Sequence, residues 1–266
     1  MSGPLRLERS GGVARVLLAR PEVRNAFNAE LIAALTEAFA SLAAEPPETL
    51  RAVVLAGEGS VFCAGADVAW LRAAADMDVA ANEADAGRLA TMLETIDTCP
   101  VPVVARVQGA ALGGGMGLCA VSDIVVSTVD ATFGFTETRL GILPAVIGPY
   151  AVAKIGESQA RALFLPGSRF GAQRAREIGL VHEVMADEAA LDRRLAELLD
   201  EILAAGPTAV REAKALLRRL RGQPSAQARA LTVAAIARQR TSPEGQEGLS
   251  AFLDKRDPSW RTRPEQ

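Results

Sequence analysis

The sequence has little of what disulfide frameworks, zinc sites and histidine chemistry need. Among its 266 residues are three cysteines and a single histidine, His182. Cys63, Cys99 and Cys119 are odd in number and lack the paired spacing of metal ligands, so no disulfide set and no zinc cluster is expected, and a reducing compartment follows. Neither sign of charge is in excess: the formal net charge is −3, with acidic and basic residues interspersed. That excludes a nucleic-acid-binding face and a basic membrane patch. No apolar run is long enough to span a bilayer, and the opening Met1-Ser2-Gly3-Pro4-Leu5-Arg6 has no signal-peptide core, so a soluble cytoplasmic protein is expected. Aromatic residues make up only 4% of the chain. Alanine and leucine do the filling instead, which favours helices. The expected partners are small molecules and copies of the chain itself.

At this length the chain can bury a full core, as one large domain or a main domain with a helical appendage. Short β-like runs over 5–9 and 13–19, joined by Ser10-Gly11-Gly12, predict a hairpin. A helix over 29–44 closes at Pro46-Pro47, and an apolar strand over 51–56 leads into a glycine-rich loop at 57–65. Helical stretches are expected near 68–75 and 82–97, strand, glycine turn and helix recur over 101–120, and a third strand is expected at 124–127. Beyond about residue 145 the pattern is helical almost throughout, interrupted by one short strand at 181–184. Strands with interleaved helices first, and helices alone later, predict an α/β core over 1–200 and a C-terminal helical region over 201–266.

The most informative stretch is Gln108-Gly109-Ala110-Ala111-Leu112-Gly113-Gly114-Gly115-Met116-Gly117-Leu118. A buried strand that ends in glycines and resumes as an apolar helix lets a guest approach bare backbone. The first amides of such a helix have no internal acceptor, which suits an oxyanion; a packing turn is the plainer alternative. The glycines fit neither the P-loop nor the dinucleotide fingerprint. A second backbone loop stands at Phe62-Cys63-Ala64-Gly65-Ala66-Asp67, also between a strand and a helix. Two amides converging on one oxygen would suit thioester chemistry, where an enolate oxygen needs two positioned donors.

These two loops, with Phe133-Gly134-x-x-Glu137, Leu140-Gly141-Ile142-Leu143-Pro144, Arg20-Pro21-x-x-Arg24-Asn25-Ala26-Phe27 and Gly179-Leu180-Val181, resemble in order and spacing the crotonase superfamily of enoyl-CoA hydratases and isomerases. The resemblance covers nearly the whole chain. It implies a spiral of β-β-α units with a helical trimerisation region, assembled as a homotrimer or a dimer of trimers. It implies an acyl-CoA thioester as substrate and no separate cofactor, coenzyme A entering as part of the substrate. Ala66 and Gly114 match the family's oxyanion-hole amides. Arg24, Ala26, Ala64, Asp67 and Val68 fall where the family wraps coenzyme A, and Phe252 and Lys255 match positions that reach the coenzyme A of a neighbouring subunit.

The carboxylates depart from the pattern. Two-acid hydratases carry one glutamate after the glycine turn and another in the Phe-Gly-x-x-Glu segment; here the second is Glu137 and the first position is Gly117. Among Phe133, Phe135, Leu140 and Ile142, burial would raise the Glu137 pKa while Arg139 would lower it, and the sequence leaves the direction open. Glu83 and Asp85 lie in the segment that lids the acyl pocket in related enzymes and are alternative bases, although exposed helix surface is the expected place for both. Trp70, Met77, Gly117 and Pro144 are the expected pocket residues. Asp67 has a second reading as a helix cap. With no Gly-x-Ser-x-Gly elbow, a hydrolase using His182 is a poor reading.

The wording of the glycine turn, of Asp67-Val68-Ala69-Trp70-Leu71 and of Leu143-Pro144-Ala145-Val146-Ile147 is similar to the bacterial methylglutaconyl-CoA hydratase branch, which serves leucine and isoprenoid breakdown. The expected activity is hydration of a 2-enoyl-CoA, branched or carboxylated. The alternatives are a Δ3,Δ2-enoyl-CoA isomerase working with one carboxylate, and an acyl-CoA-binding scaffold without chemistry.

Overall fold

A computed structural model describes residues 3–261 of the chain. The first two strands, β1 (Leu5–Ser10) and β2 (Val13–Leu18), form the expected hairpin, and α1 (Ala29–Ala43) starts where the Asn28 side chain accepts a hydrogen bond from the Leu31 amide at 2.9 Å. Next come β3 (Ala52–Gly57), α2 (Val68–Ala75), α3 (Val79–Asp97), β4 (Val103–Val107), β5 (Ala110–Leu112) and α4 (Gly114–Val121). Then follow β6 (Ile124–Thr128), β7 (Thr132–Gly134), α5 (Gly148–Phe164), β8 (Phe170–Gly171), α6 (Ala172–Glu177) and β9 (Glu183–Met185). The chain closes with α7 (Glu188–Ala204), α8 (Pro207–Leu220), α9 (Ser225–Thr241) and α10 (Pro243–Leu253). The helical pattern expected beyond residue 145 begins with α5, which is two helical segments joined across a break at Gly156, where φ is 77°. The short strand expected at 181–184 lies at 183–185 and forms the edge of the main sheet.

The strands form two sheets, a large one in the order β1-β2-β3-β4-β6-β9 and a small one in the order β5-β7-β8. Apart from the β1–β2 hairpin the large sheet is parallel. Two successive units, β4-β5-α4 and β6-β7-α5, place one strand in the large sheet, the next in the small sheet and then a helix. This is the β-β-α spiral that the resemblance implies.

The strand β3 has both faces covered, which explains its unbroken apolar run. Val53 and Leu55 point to the main core with Leu35, Phe39, Leu93 and Met116, while Ala52, Val54 and Ala56 point to a second cluster under Leu191, Leu195, Leu198 and Leu199 of α7. The helix α7 therefore belongs to the sheet layer, and it runs across the boundary expected between 200 and 201. The later helix α8 is tied back to the core: Lys214 Nζ pairs with Asp123 and donates to the Val101 carbonyl, and Arg211 donates to the Leu50 carbonyl. No helix among the described residues is long and apolar enough to cross a membrane. The three cysteines are buried free thiols.

Candidate active site

The small sheet builds the site. Leu112 at the end of β5 pairs in parallel with Gly134 at the end of β7, and the Gly113 amide donates to the Gly134 carbonyl at 2.9 Å. One chain then turns into α4 and the other into a short 3-10 turn at Glu137–Leu140. The pairing thus sets Glu137 beside the glycine turn: a Cβ on Gly113 would stand 3.5 Å from Glu137 Oε1.

The second loop is fastened to the same place. Cys63 bridges Ala111, with its amide donating to the Ala110 carbonyl and its carbonyl accepting from Leu112, both at 3.0 Å. Gly65, at φ 96°, lies so near the other bend that a Cβ would come within 2.9 Å of the Leu112 carbonyl oxygen. Only glycine tolerates both that dihedral and that approach. The loop's far side is held by two buried amides. Asn25 donates to the Glu58 and Val61 carbonyls, and Gln108 to those of Gly57 and Gly59.

The two bends leave two amides free. Phe27 bridges Ala66 by donating to the Gly65 carbonyl and accepting from the Asp67 amide. In a parallel bridge of that kind the intervening Ala66 N–H faces away from its partner. Neither the Ala66 nor the Gly114 amide donates to any described residue. Gly114 must remain without a side chain, since a Cβ would fall 2.5 Å from the buried Phe27 ring.

Ala66, Gly114 and Glu137 line one cavity of about 500 Å³, walled mainly by apolar groups of Phe27, Trp70, Leu71, Leu89, Leu143, Pro144 and Ile147. Burial raises the Glu137 pKa above the ordinary carboxylate range. Glu137 Oε2 and the indole N–H of Trp70 are buried there without hydrogen-bond partners. Arg139 does not oppose the shift as expected. Its guanidinium turns away, to the Pro166 carbonyl and Ser168 Oγ.

Other expectations are corrected. Met77 and Gly117 are not on the cavity wall. Gly117 is buried behind Ile147, whose Cγ2 would be 2.6 Å from an added Cβ, with Leu93 Cδ2 at 3.4 Å. The space of the missing glutamate is filled by apolar side chains. Asp85 is not exposed helix surface: it is 6% exposed and lines the cavity, while Glu83 is exposed. Asp85 and Asn82 are the polar wall residues with no motif to announce them. The only sign of Asp85 in the sequence is its place on the stripe of Leu89 and Leu93, one and two turns further along α3.

The residues expected around coenzyme A gather at the Ala66 bend. The Ala64 amide donates to the Arg24 carbonyl at 3.0 Å, Ala26 is buried, and Val68 is exposed. Asp67 has structural work: it caps α2 through the Ala69 amide and pairs with Arg20, both at 2.8 Å. The hydrogen bond from Arg20 is the main reason its pKa is lowered. Phe252 is 80% exposed and, like Lys255 just after α10, does not line this cavity. His182 also lies elsewhere, accepting at Nδ1 from the Val125 amide, with its pKa lowered by burial.

A family model described as enoyl-CoA hydratase/isomerase matches residues 8–263. The crystal structure of an enoyl-CoA hydratase from Shewanella pealeana is 37% identical, with a TM-score of 0.92 over 97% of this chain and 96% of that one. The structure of Pseudomonas aeruginosa AtuE is likewise 37% identical, with a TM-score of 0.93 over 97% of this chain and all of the other, 100%. The mouse mitochondrial enoyl-CoA hydratase domain-containing protein 2 is 33% identical over 254 residues, 94% of this chain and 84% of that protein.

Proposed function

Because the chain belongs to the enoyl-CoA hydratase/isomerase family, the crotonase superfamily, we propose that it hydrates a 2-enoyl-CoA thioester, with Ala66 and Gly114 as the oxyanion hole and Glu137 as the acid at the α-carbon. One observation carries this reading: two unpartnered backbone amides and a carboxyl group whose Oε2 is buried without a partner face one apolar cavity. As the nucleophile adds at the β-carbon, charge moves to the thioester oxygen. Each positioned donor there is worth about 3 kcal/mol in the transition state. Burial raises the Glu137 pKa, which favours the protonated form that delivers a proton to the α-carbon.

Arg24, Ala26, Ala64, Asp67 and Val68 are the proposed coenzyme A contacts, supported by their grouping around the Ala66 bend. A branched acyl group of the 3-methylglutaconyl kind is the proposed substrate type, supported by the motif wording, with Trp70 and Pro144 on the pocket wall. A homotrimer or dimer of trimers is proposed from the exposed apolar side chains Val233, Ile236, Leu249, Phe252 and Leu253 on α9 and α10. In it Phe252 and Lys255 would reach a neighbour's coenzyme A, and light scattering of the purified protein tests the assembly.

The isomerase reading is favoured by one observation, the apolar filling around Gly117, because a single carboxylate suffices to move a proton between the α- and γ-carbons. The readings separate on substrate. Given crotonyl-CoA or 3-methylglutaconyl-CoA, the hydratase removes the conjugated thioester absorbance, while an isomerase creates it from a 3-enoyl-CoA. In Glu137→Gln, turnover should fall by orders of magnitude with coenzyme A affinity nearly intact. Binding without any turnover, unchanged by that substitution, would mark a scaffold instead.

A further inference from the structure

We propose that Asp85 is the second carboxylate of this site and takes the proton from the attacking water. The proposal rests on the hydratase reading above. It answers a problem that the structure poses: the position after the glycine turn holds no acid, and Ile147 and Leu93 press on the space where its side chain would start.

The helix α3 presents Asp85, Leu89 and Leu93 on one face, four residues apart each time. Leu89 lines the cavity and Leu93 packs toward Gly117, so an apolar residue belongs at 85 as well. An aspartate stands there instead. It caps nothing, since the N-cap of α3 is Asp78. Its one partner among the described residues is Arg88, on Oδ1 at 2.6 Å, and that guanidinium side chain is 56% exposed. Oδ2 accepts no hydrogen bond from any described residue. A carboxylate in an apolar wall, held by a single surface arginine, costs folding energy that leucine would not. Such groups are retained where chemistry uses them. Asn82, the other polar wall residue, is accounted for structurally, its amide donating to the Ala74, Met77 and Asp78 carbonyls.

The step balances without a co-reactant. The water oxygen bonds to the β-carbon as Asp85 accepts one of its protons. The π electrons of the double bond move through the α-carbon onto the thioester oxygen, held by the Ala66 and Gly114 amides. As the enolate collapses, the Glu137 carboxyl group protonates the α-carbon. Asp85 ends protonated and Glu137 ionised, and both exchange with solvent when the product leaves.

The test uses the purified full chain with two substrates. Crotonyl-CoA reports hydration, and butyryl-CoA in deuterated water reports α-proton exchange, which needs Glu137 and the two amides but no water activation. Asp85→Asn should lose about 100-fold or more in hydration and keep α-proton exchange, whereas Glu137→Gln loses both. Asp85→Leu, which completes the apolar stripe, should melt at a higher temperature than wild type while hydration is lost. Hydration by Asp85→Asn within about threefold of wild type, or exchange falling in step with hydration, would overturn the assignment while leaving the hydratase reading standing. So would unchanged crotonyl-CoA hydration with a new preference for carboxylated acyl groups, which would make Asp85 a selectivity residue. A wild-type protein that hydrates no enoyl-CoA removes both.

Discussion

Gly117→Ala is the smallest perturbation that reads how tightly the missing carboxylate's position is filled. The added Cβ would stand 2.6 Å from Ile147 Cγ2 and 3.4 Å from Leu93 Cδ2, and both neighbours are buried core side chains. Two effects oppose each other. Alanine in place of glycine inside α4 gains about 1 kcal/mol in helix propensity, whereas an extra methyl in a packed interior costs roughly 1–3 kcal/mol. The expected net loss of about 1 kcal/mol lowers Tm by about 2–4 °C at this chain length. Ile147→Ala alone should cost roughly 2–5 kcal/mol by opening a cavity. In that background the clash is gone and the new methyl partly fills the void, so the same Gly117→Ala exchange should stabilise by about 1 kcal/mol. The coupling of about 2 kcal/mol is measured by denaturant melts of all four proteins at one protein concentration, because assembly contributes to apparent stability. A coupling under about 0.5 kcal/mol would mean that Ile147 does not press on Gly117, and occupied space would no longer explain the absent acid.

Glu137→Gln should raise Tm at neutral pH while abolishing turnover. The Glu137 pKa is raised by burial, so the stability that it contributes is full below the unfolded-state value and is lost as pH rises through the folded-state value. Glutamine escapes that loss, and its advantage should vanish in melts at acid pH; a constant advantage at every pH would refute the cause. Asp67→Ala has the opposite sign. It removes the ion pair to Arg20 and the cap on Ala69, for a loss of roughly 1–3 kcal/mol. Because the Asp67 pKa is lowered, chiefly by Arg20, that stability is present above the unfolded-state value and disappears as pH falls through the folded-state one. Melts whose wild-type-to-mutant gap stays open in acid would sink this account.

Local pattern made most of the elements legible, since a run such as Ala52–Gly57 or the Leu31, Leu35, Phe39, Leu42 stripe reports its own burial. The small sheet was not legible in the same way. Its strands are two or three residues long, too short for any period to show. They exist because the large sheet delivers them side by side. The site divides similarly. Ala66, Gly114 and Glu137 stand in recognisable motifs, but what makes Asp85 a cavity residue is the packing of α3 against α1 and α4, which lies in no window of sequence. The same holds for Gly117, whose glycine could mean a vacancy or a filled place. Only the position of Ile147, thirty residues on, decides for the filled one.

The unpartnered groups of the cavity also explain why ligand chemistry should be readable in stability. Glu137 Oε2 and the Trp70 indole N–H are buried without hydrogen-bond partners, at about 1–3 kcal/mol each, and the amides of the half-buried Ala66 and Gly114 lack partners in the same cavity. A bound thioester gives the two amides an acceptor. Butyryl-CoA and its thioether analogue S-butyl-CoA differ at that carbonyl oxygen and share the carbon chain and the nucleotide. If the two amides meet the oxygen, at a net worth of about 1 kcal/mol each, the thioester should bind about 30-fold tighter. At equal ligand concentrations it should raise Tm further. Equal affinity for the two, measured by calorimetry, would show that the carbonyl oxygen does not reach the bends, and the proton chemistry assigned to Glu137 would lose its electron sink.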